Sequence, residues 1–312
     1  MSASGEGFVG EPVLVLMGST ATGKSAVGIE VARRIGGEIV SADSRAFFRG
    51  LEIVAAVPTE AESAGIPHHL IGNISTEASY DAMAFRRDVE DLIPEIRRRG
   101  RVPILVGGGT LYLGALLRGI FEGPSKDPAF RESLASRSTQ GLHEELRHID
   151  PAAAAKIHAN DRLRIERALE VYAQSGRPIT EWQAEASPVP YPVIVFGLTR
   201  EREDHRVAIR RRVQEMLDQG LIDEVRGLRD AGLTTEAQAF RTIGVPEVLA
   251  YLNGQTSEDE MVDAIVTQTW SLAKRQRAWF RRDREVTWLD VTGRTPQDVA
   301  TEIVAEWGTR VG

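Results

Sequence analysis

Cysteine is absent from this 312-residue chain, and its absence removes disulfides, thiolate metal sites and cysteine nucleophiles together. Long apolar runs are absent too: none approaches the roughly 20 residues that a membrane span needs. The opening MSASGEGFVGEP has neither the charged start nor the apolar core of a signal peptide. The expectation is a cytoplasmic protein with no membrane partner. Internal repeats and low-complexity linkers are missing. So is a Walker B run, an apolar strand ending in Asp-Glu, and no Gln or Glu is evident for activating water, which argues against a nucleotide-hydrolysing motor. Positive charge is in deficit, and a formal net charge of −7 argues against wholesale coating of nucleic acid while leaving room for local basic faces. The remainder is that of a soluble globular protein, with 42% hydrophobic and 27% charged residues in a length that suits about two domains.

Against that background MGSTATGKSAVGIEVARR (17–34) is specific. The spacing Gly18-x-x-x-x-Gly23-Lys24-Ser25 is that of a P-loop. PVLVLM before it has strand length, and Ala26, Ile29, Ala32 and Ile35 after it recur at helical spacing. Strand, glycine-rich loop and helix in this order point backbone N–H groups and a helix N-terminus at one place, which suits a polyphosphate. Lys24 would neutralise phosphate oxygens and the Ser25 hydroxyl would sit on Mg²⁺. Whether the ligand is a nucleotide or another pyrophosphate is open from the loop alone.

Candidate parallel strands are 13–17, 37–43, 102–108, 191–198 and 286–290, all short, β-branched and bounded by Gly, Pro or Asp. Between the third and fourth, residues from about 118 to 188 carry only helical patterns, several opened by Asp or Asn caps. The expected fold is α/β, a P-loop NTPase-like core with a parallel sheet flanked by helices, plus an inserted all-helical domain. Its expected division is 1–117 for the first part of the core, 118–190 for the insertion and 191–312 for the second part. Residues 202–232 and 257–282 read as long amphipathic helices. Asp43 falls at the C-terminal edge of the second strand, where open α/β sheets place ligands. It could hold magnesium through water, act as a base, or merely cap a turn. Arginines collect in RRRGR (97–101), IRRRV (209–213) and KRQRAWFRRDR (274–284), where Trp279 and Phe280 could stack on bases or belong to the core.

The segments GSTATGKSAVGIEVARRIGGEIVSADSRAFFRGLEI, PHHLIG, SYDAMAFRRD, PILVGGGTLYLGALL, IHANDRLRIERALEVY, IRRRVQEML, AFRTIG and AKRQRAWFRR resemble, in that order, the motifs of the tRNA dimethylallyltransferases, from about residue 12 to 285. The resemblance implies transfer of a dimethylallyl group from dimethylallyl pyrophosphate to N6 of the adenosine 3′-adjacent to the anticodon in tRNA. It further implies that the insertion grips the anticodon arm and that the protein is a monomer. The residues Gly18, Ser19, Thr20, Ala21, Thr22, Gly23, Lys24 and Ser25 would then hold the pyrophosphate, with Ser25 on the metal. Asp43 matches the family's base, Arg212 its pyrophosphate-clamping arginine, and Lys24 and Thr20 complete the catalytic set. Ser44, Arg45, Ala46, Gly109, Thr110, Arg131, Leu163, Arg164, Arg167 and Arg241, with Asp43, match positions that contact tRNA.

The chain departs from the family pattern mostly on the acceptor side: Ala55 and Val57 replace a Thr and a Lys, and Gly72 replaces an acid. Gly109 and Thr110 shift a hydroxyl by one position, Leu163 replaces a Gln, and Val245 and Pro246 replace a Tyr and a basic residue. Donor chemistry is thus better supported than the acceptor. Competing readings are prenyl transfer to another adenine acceptor such as free AMP or a different RNA, a small-molecule P-loop kinase, and a non-catalytic RNA-binding relative.

Overall fold

The computed structural model describes residues 11–282 and 285–311. Residues 1–10 of the leader reading and residues 283 and 284 of the last basic cluster lie outside them. The expected parallel α/β core is present, built on six strands: β1 (Val13–Gly18), β2 (Gly37–Ser41), β3 (His68–His69), β4 (Val102–Gly107), β5 (Val193–Thr199) and β6 (Val286–Asp290). Their order across the sheet is β3-β2-β4-β1-β5-β6, every pairing parallel. β1 is central and buried along its whole length, which is why its sequence is continuously apolar rather than alternating.

The chain separates into two compact units, one ending at Leu113 and resuming at Pro190, the other running Gly114–Val189. In the first, the helix Lys24–Ile35 packs its buried Val27, Ile29, Val31 and Ala32 against Leu14, Leu16, Ile104 and Val106 of the sheet. Gly28 permits the approach, since a Cβ there would lie 2.9 Å from a Val106 methyl. A second apolar cluster joins Phe48, Leu51 and Val54 to Val213 and Met216 of the helix Arg202–Asp218 and to Met261 and Ile265 of the helix Glu258–Phe280. The second unit is all helical, with a core of Leu142, Leu146, Ile165, Leu169 and Val171. Asp127, Ser138, Asp150 and Asp161 cap its helices through side-chain oxygens.

Several sequence expectations are corrected. β2 stops at Ser41, so Ala42 and Asp43 lie beyond the strand, and β3, two half-buried histidines, is too short and polar for a strand pattern. The amphipathic stretch 202–232 is two helices, Arg202–Asp218 and Leu221–Asp230, because Gly220 adopts φ +101 between them. The helices Val245–Leu252 and Pro296–Val311 were not anticipated, whereas the expected helix in 257–282 spans Glu258–Phe280. Phe280 is fully buried, which removes it from base stacking. No helix among the described residues is long and apolar enough to cross a membrane.

Candidate active site

The loop after β1 is shaped by two left-handed residues, Ala21 at φ +59 and Gly23 at φ +83. Ala21 carries a Cβ in that region, a strained conformation that persists only where neighbours over-determine it. They do so through hydrogen bonds. Thr22 Oγ1 and Lys24 Nζ both donate to the Ser19 carbonyl, at 2.8 and 2.9 Å. The Thr20 amide donates to Gln276 Oε1 at 2.8 Å, and the Thr20 carbonyl accepts from His205 Nε2 at 2.8 Å. Gln276 Nε2 in turn donates to the Gly108 carbonyl at 2.8 Å, tying the loop to the glycine-rich turn that follows β4.

Two open clefts of about 420 and 470 Å³ meet over this loop, each within the size range of small-molecule sites. The first is lined by Gly23, Lys24, Ser25 and Ala26 together with Ala55, Ala56, Val57 and Pro58. The second is lined by Ser44, Arg45, Gly109, Thr110 and Arg241, with Ile209, Val213 and Ile265 among its apolar residues. Thr20, Asp43, Ala55, Arg212 and Met216 line both.

Asp43 leaves β2 in a turn closed by its own Oδ1, which accepts the Arg45 amide at 3.1 Å, so the turn role foreseen for it is real. That bond does not exhaust the carboxylate, whose charge also acts on Lys24, Arg45 and Arg212. Burial lowers the Lys24 ammonium from 10.5 to about 8, with Asp43 opposing the shift and Arg212 adding to it. Burial likewise lowers the Arg212 guanidinium, and Asp43 and Glu215 oppose it. Arg212 Nη2 donates to the Ala55 carbonyl at 3.3 Å, which turns the side chain inward. Its neighbours point away: Arg210 pairs with Asp263 and Arg211 with Glu215, with side chains 61% and 70% exposed.

Ser25 is exposed in the first helical turn and shares the first cleft with Asp43, a hydroxyl and a carboxylate that suit a hard cation retaining water and phosphate ligands. Among the described residues no group of three or more His, Asp or Glu could hold a metal unaided. Gly109 also has a local explanation. A Cβ there would lie 2.6 Å from the Ala42 carbonyl oxygen, so in this backbone the hydroxyl belongs at Thr110, which opens the helix Thr110–Leu117.

The tRNA set divides. Ser44, Arg45, Gly109, Thr110 and Arg241 come together in the second cleft, and Ala46 is buried beneath the first. In the helical unit Arg131 and Arg167 both clamp the fully buried Glu170, Arg131 through two bonds of 2.8 and 2.9 Å and Arg167 through one of 2.7 Å. Both guanidinium groups are thereby committed to an internal ion pair. Arg164 and Leu163 are turned outward, the Arg164 side chain 74% exposed and Leu163 67%. Sequence reasoning missed Gln276 and His205 as partners of the loop. Only the basic motif around Gln276 drew attention to that region, and nothing marked His205.

The family model described as IPP transferase matches residues 46–283. A tRNA dimethylallyltransferase of Pelotomaculum thermopropionicum is 41% identical over 286 residues, 90% of this chain and 91% of the relative. The tRNA dimethylallyltransferase 1 of Citrifermentans bemidjiense is 42% identical over 283 residues, covering 90% and 92%. Among solved structures, the full-length tRNA isopentenylpyrophosphate transferase of Bacillus halodurans matches with a TM-score of 0.73 at 35% identity, over 97% of each chain. A eukaryotic dimethylallyltransferase acting on tRNA matches with a TM-score of 0.78 at 26% identity, over 91% of this chain and 74% of that one. P-loop, carboxylate, inward arginine and these likenesses converge: the chain belongs to the IPP transferase family.

Proposed function

We propose that the protein transfers the dimethylallyl group of dimethylallyl pyrophosphate to N6 of the adenosine 3′-adjacent to the anticodon in tRNA. One observation carries the reading: Thr20, Asp43 and Arg212 line both clefts, so a donor held by the P-loop and an acceptor held by Ser44, Arg45 and Arg241 would meet at the same three residues. The kinship with proteins named for this reaction supports it.

In this reading N6 attacks the first carbon of the dimethylallyl group as its bond to the pyrophosphate oxygen breaks. Negative charge then grows on the departing pyrophosphate. Lys24 and Arg212 face it from the loop and from the opposing helix, and their half-buried setting strengthens that interaction over its value in water. Both cations are destabilised by burial in the free protein, so a dianionic group arriving between them relieves a cost already present. An adenine amine is a weak nucleophile because its lone pair is drawn into the ring. The Asp43 carboxylate accepts the N6 proton as the new bond forms, a contribution of about 10²–10⁴-fold. Ser25, with Asp43 nearby, would hold Mg²⁺, which neutralises pyrophosphate charge when bound. Thr20, Lys24, Asp43 and Arg212 all belong to one unit, so a single copy carries the full constellation, in keeping with a monomer acting in the cytoplasm beside its tRNA.

The test is to incubate the protein with labelled dimethylallyl pyrophosphate and, separately, bulk tRNA, AMP and ATP. Label on an adenosine next to the anticodon is expected. Label on AMP alone would move the acceptor to free nucleotide, and a phosphoryl transfer from ATP with no prenyl product would overturn the reading.

A further inference from the structure

The Thr20 backbone is held at both its amide and its carbonyl, in two successive peptide groups, and neither holder belongs to the loop. Gln276 comes from the helix Glu258–Phe280 and His205 from the helix Arg202–Asp218, the helix that also presents Arg212. Gln276 is 7% exposed and His205 not at all. Each makes a bond that fixes direction as well as distance. Because the Thr20 oxygen can only accept, His205 Nε2 must carry the proton, leaving Nδ1 as an acceptor. That Nδ1 is buried without a partner. Burial, with Arg277, Arg200 and Lys24 adding to it, lowers the imidazole's proton affinity, which keeps the ring in this neutral form. A side chain chosen only to fill space would not leave a buried nitrogen unpaired; the ring meets Trp270 edge-on at 5.6 Å, and its hydrogen bond is the one to Thr20.

We propose that His205 and Gln276 are positioning residues for prenyl transfer, holding the Thr20 backbone of the P-loop at a fixed distance from the Gly107–Gly109 turn so that donor and acceptor clefts open on the same atoms. The assignment rests on the functional reading above. Three features follow from it. Thr20 cannot use its amide on pyrophosphate, since Gln276 occupies it, so Thr20 contributes a fixed edge shared by both clefts. The strained Ala21 shares a peptide group with the Thr20 carbonyl that His205 holds, so its φ of +59 is imposed rather than sampled. Gly108 must remain glycine, because a Cβ there would stand 2.7 Å from Gln276 Nε2 and 3.0 Å from the Gly18 carbonyl. Through Gln276 the spacing of the loop and the turn becomes one quantity, and His205 couples it to the helix of Arg212.

The test uses the full-length protein with His205→Ala and His205→Gln, the latter restoring an N–H donor toward Thr20. His205 lines neither cleft, so any effect of its replacement reaches the substrates through Thr20. His205→Ala should lower kcat/KM for dimethylallyl pyrophosphate by about 10–100-fold, the scale expected when reacting groups are misplaced by around an ångström. His205→Gln should recover most of that loss. Inorganic pyrophosphate binding by calorimetry should weaken in parallel, a readout that stands whatever the acceptor. A folded His205→Ala with donor kcat/KM and pyrophosphate affinity within two-fold of the parent would overturn the proposal, as would equal impairment of the two variants. Should His205→Ala not fold, Gln276→Ala, which frees the Thr20 amide instead of its carbonyl, must show the same loss in pyrophosphate affinity. If wild-type protein binds pyrophosphate and prenylates nothing, the functional reading fails while the positioning claim is still decided by affinity.

Discussion

Replacing Lys24 by Met should make the protein more stable and inactive at once, and the size of the first effect follows from the structure. In the unfolded chain the ammonium titrates near 10.5, in the folded protein at about 8, so between those values the unfolded state binds more protons. Stability therefore rises with pH across that window, and below pH 8 the folded protein carries the full cost of a charged, half-buried lysine. Those two values correspond to roughly 3 kcal/mol at pH 7, of which about 2 kcal/mol is recovered by pH 9.5. Methionine has similar length and no charge. The one bond it deletes, to the Ser19 carbonyl, leaves that oxygen still satisfied by Thr22 Oγ1 at 2.8 Å. Denaturant unfolding of parent and Lys24→Met at pH 7 and 9.5 reads the difference directly. The variant should be the more stable at pH 7, and the gap should narrow by about 2 kcal/mol at the higher pH. Pyrophosphate binding should be lost in the variant, and in the parent it should weaken as pH rises above 8 while the binding step takes up protons. A variant no more stable than the parent at pH 7, or a gap that does not change with pH, would refute the reasoning that burial strains Lys24 in readiness for an anion.

Asp43→Asn should keep pyrophosphate affinity and lower turnover by about 10²–10⁴-fold in single-turnover assays. Arg164→Ala should reduce the slope of log affinity for tRNA against log salt by about one, whereas Arg131→Ala should lower the melting temperature of the helical unit, because its guanidinium is bound to Glu170. Burial opposes ionisation of Glu170, yet hydrogen bonds from Arg131, Arg167 and the Asp127 amide outweigh it and hold the carboxyl at about 2. Its stabilising contribution is complete above the ordinary value near 4.5 and lost as pH falls toward 2, so acid unfolding monitored by circular dichroism should start at higher pH in Glu170→Gln, which should also cost about 3–5 kcal/mol at neutral pH.

Local chemistry made much of this protein legible. A P-loop is a property of eight consecutive residues, and a buried parallel strand shows itself as an uninterrupted apolar run, so β1, β4, β5 and the loop between β1 and its helix could be found without coordinates. Asp caps announced the helical unit. The break at Gly220 was equally local but went unread, since amphipathic periodicity continues across it. β3 was invisible, as two residues paired with β2 leave no pattern of their own. Arg131 and Arg167 show the converse limit: a motif suits them to RNA, and nothing in it records the buried carboxylate, 39 or three residues away, that also engages them.

The sequence by itself determined the P-loop, the buried strand before it and the residue types beside them, because loop spacing and strand burial are written in short-range spacing and composition. Only the tertiary structure decided which of three adjacent arginines turns inward, why Gly109 excludes a side chain, and that Gln276 and His205, 256 and 185 residues from Thr20, close on the backbone of that one residue. Those outcomes depend on hydrogen bonds and close approaches between segments far apart along the chain, and no local pattern records a contact whose partner is supplied by another element of the fold.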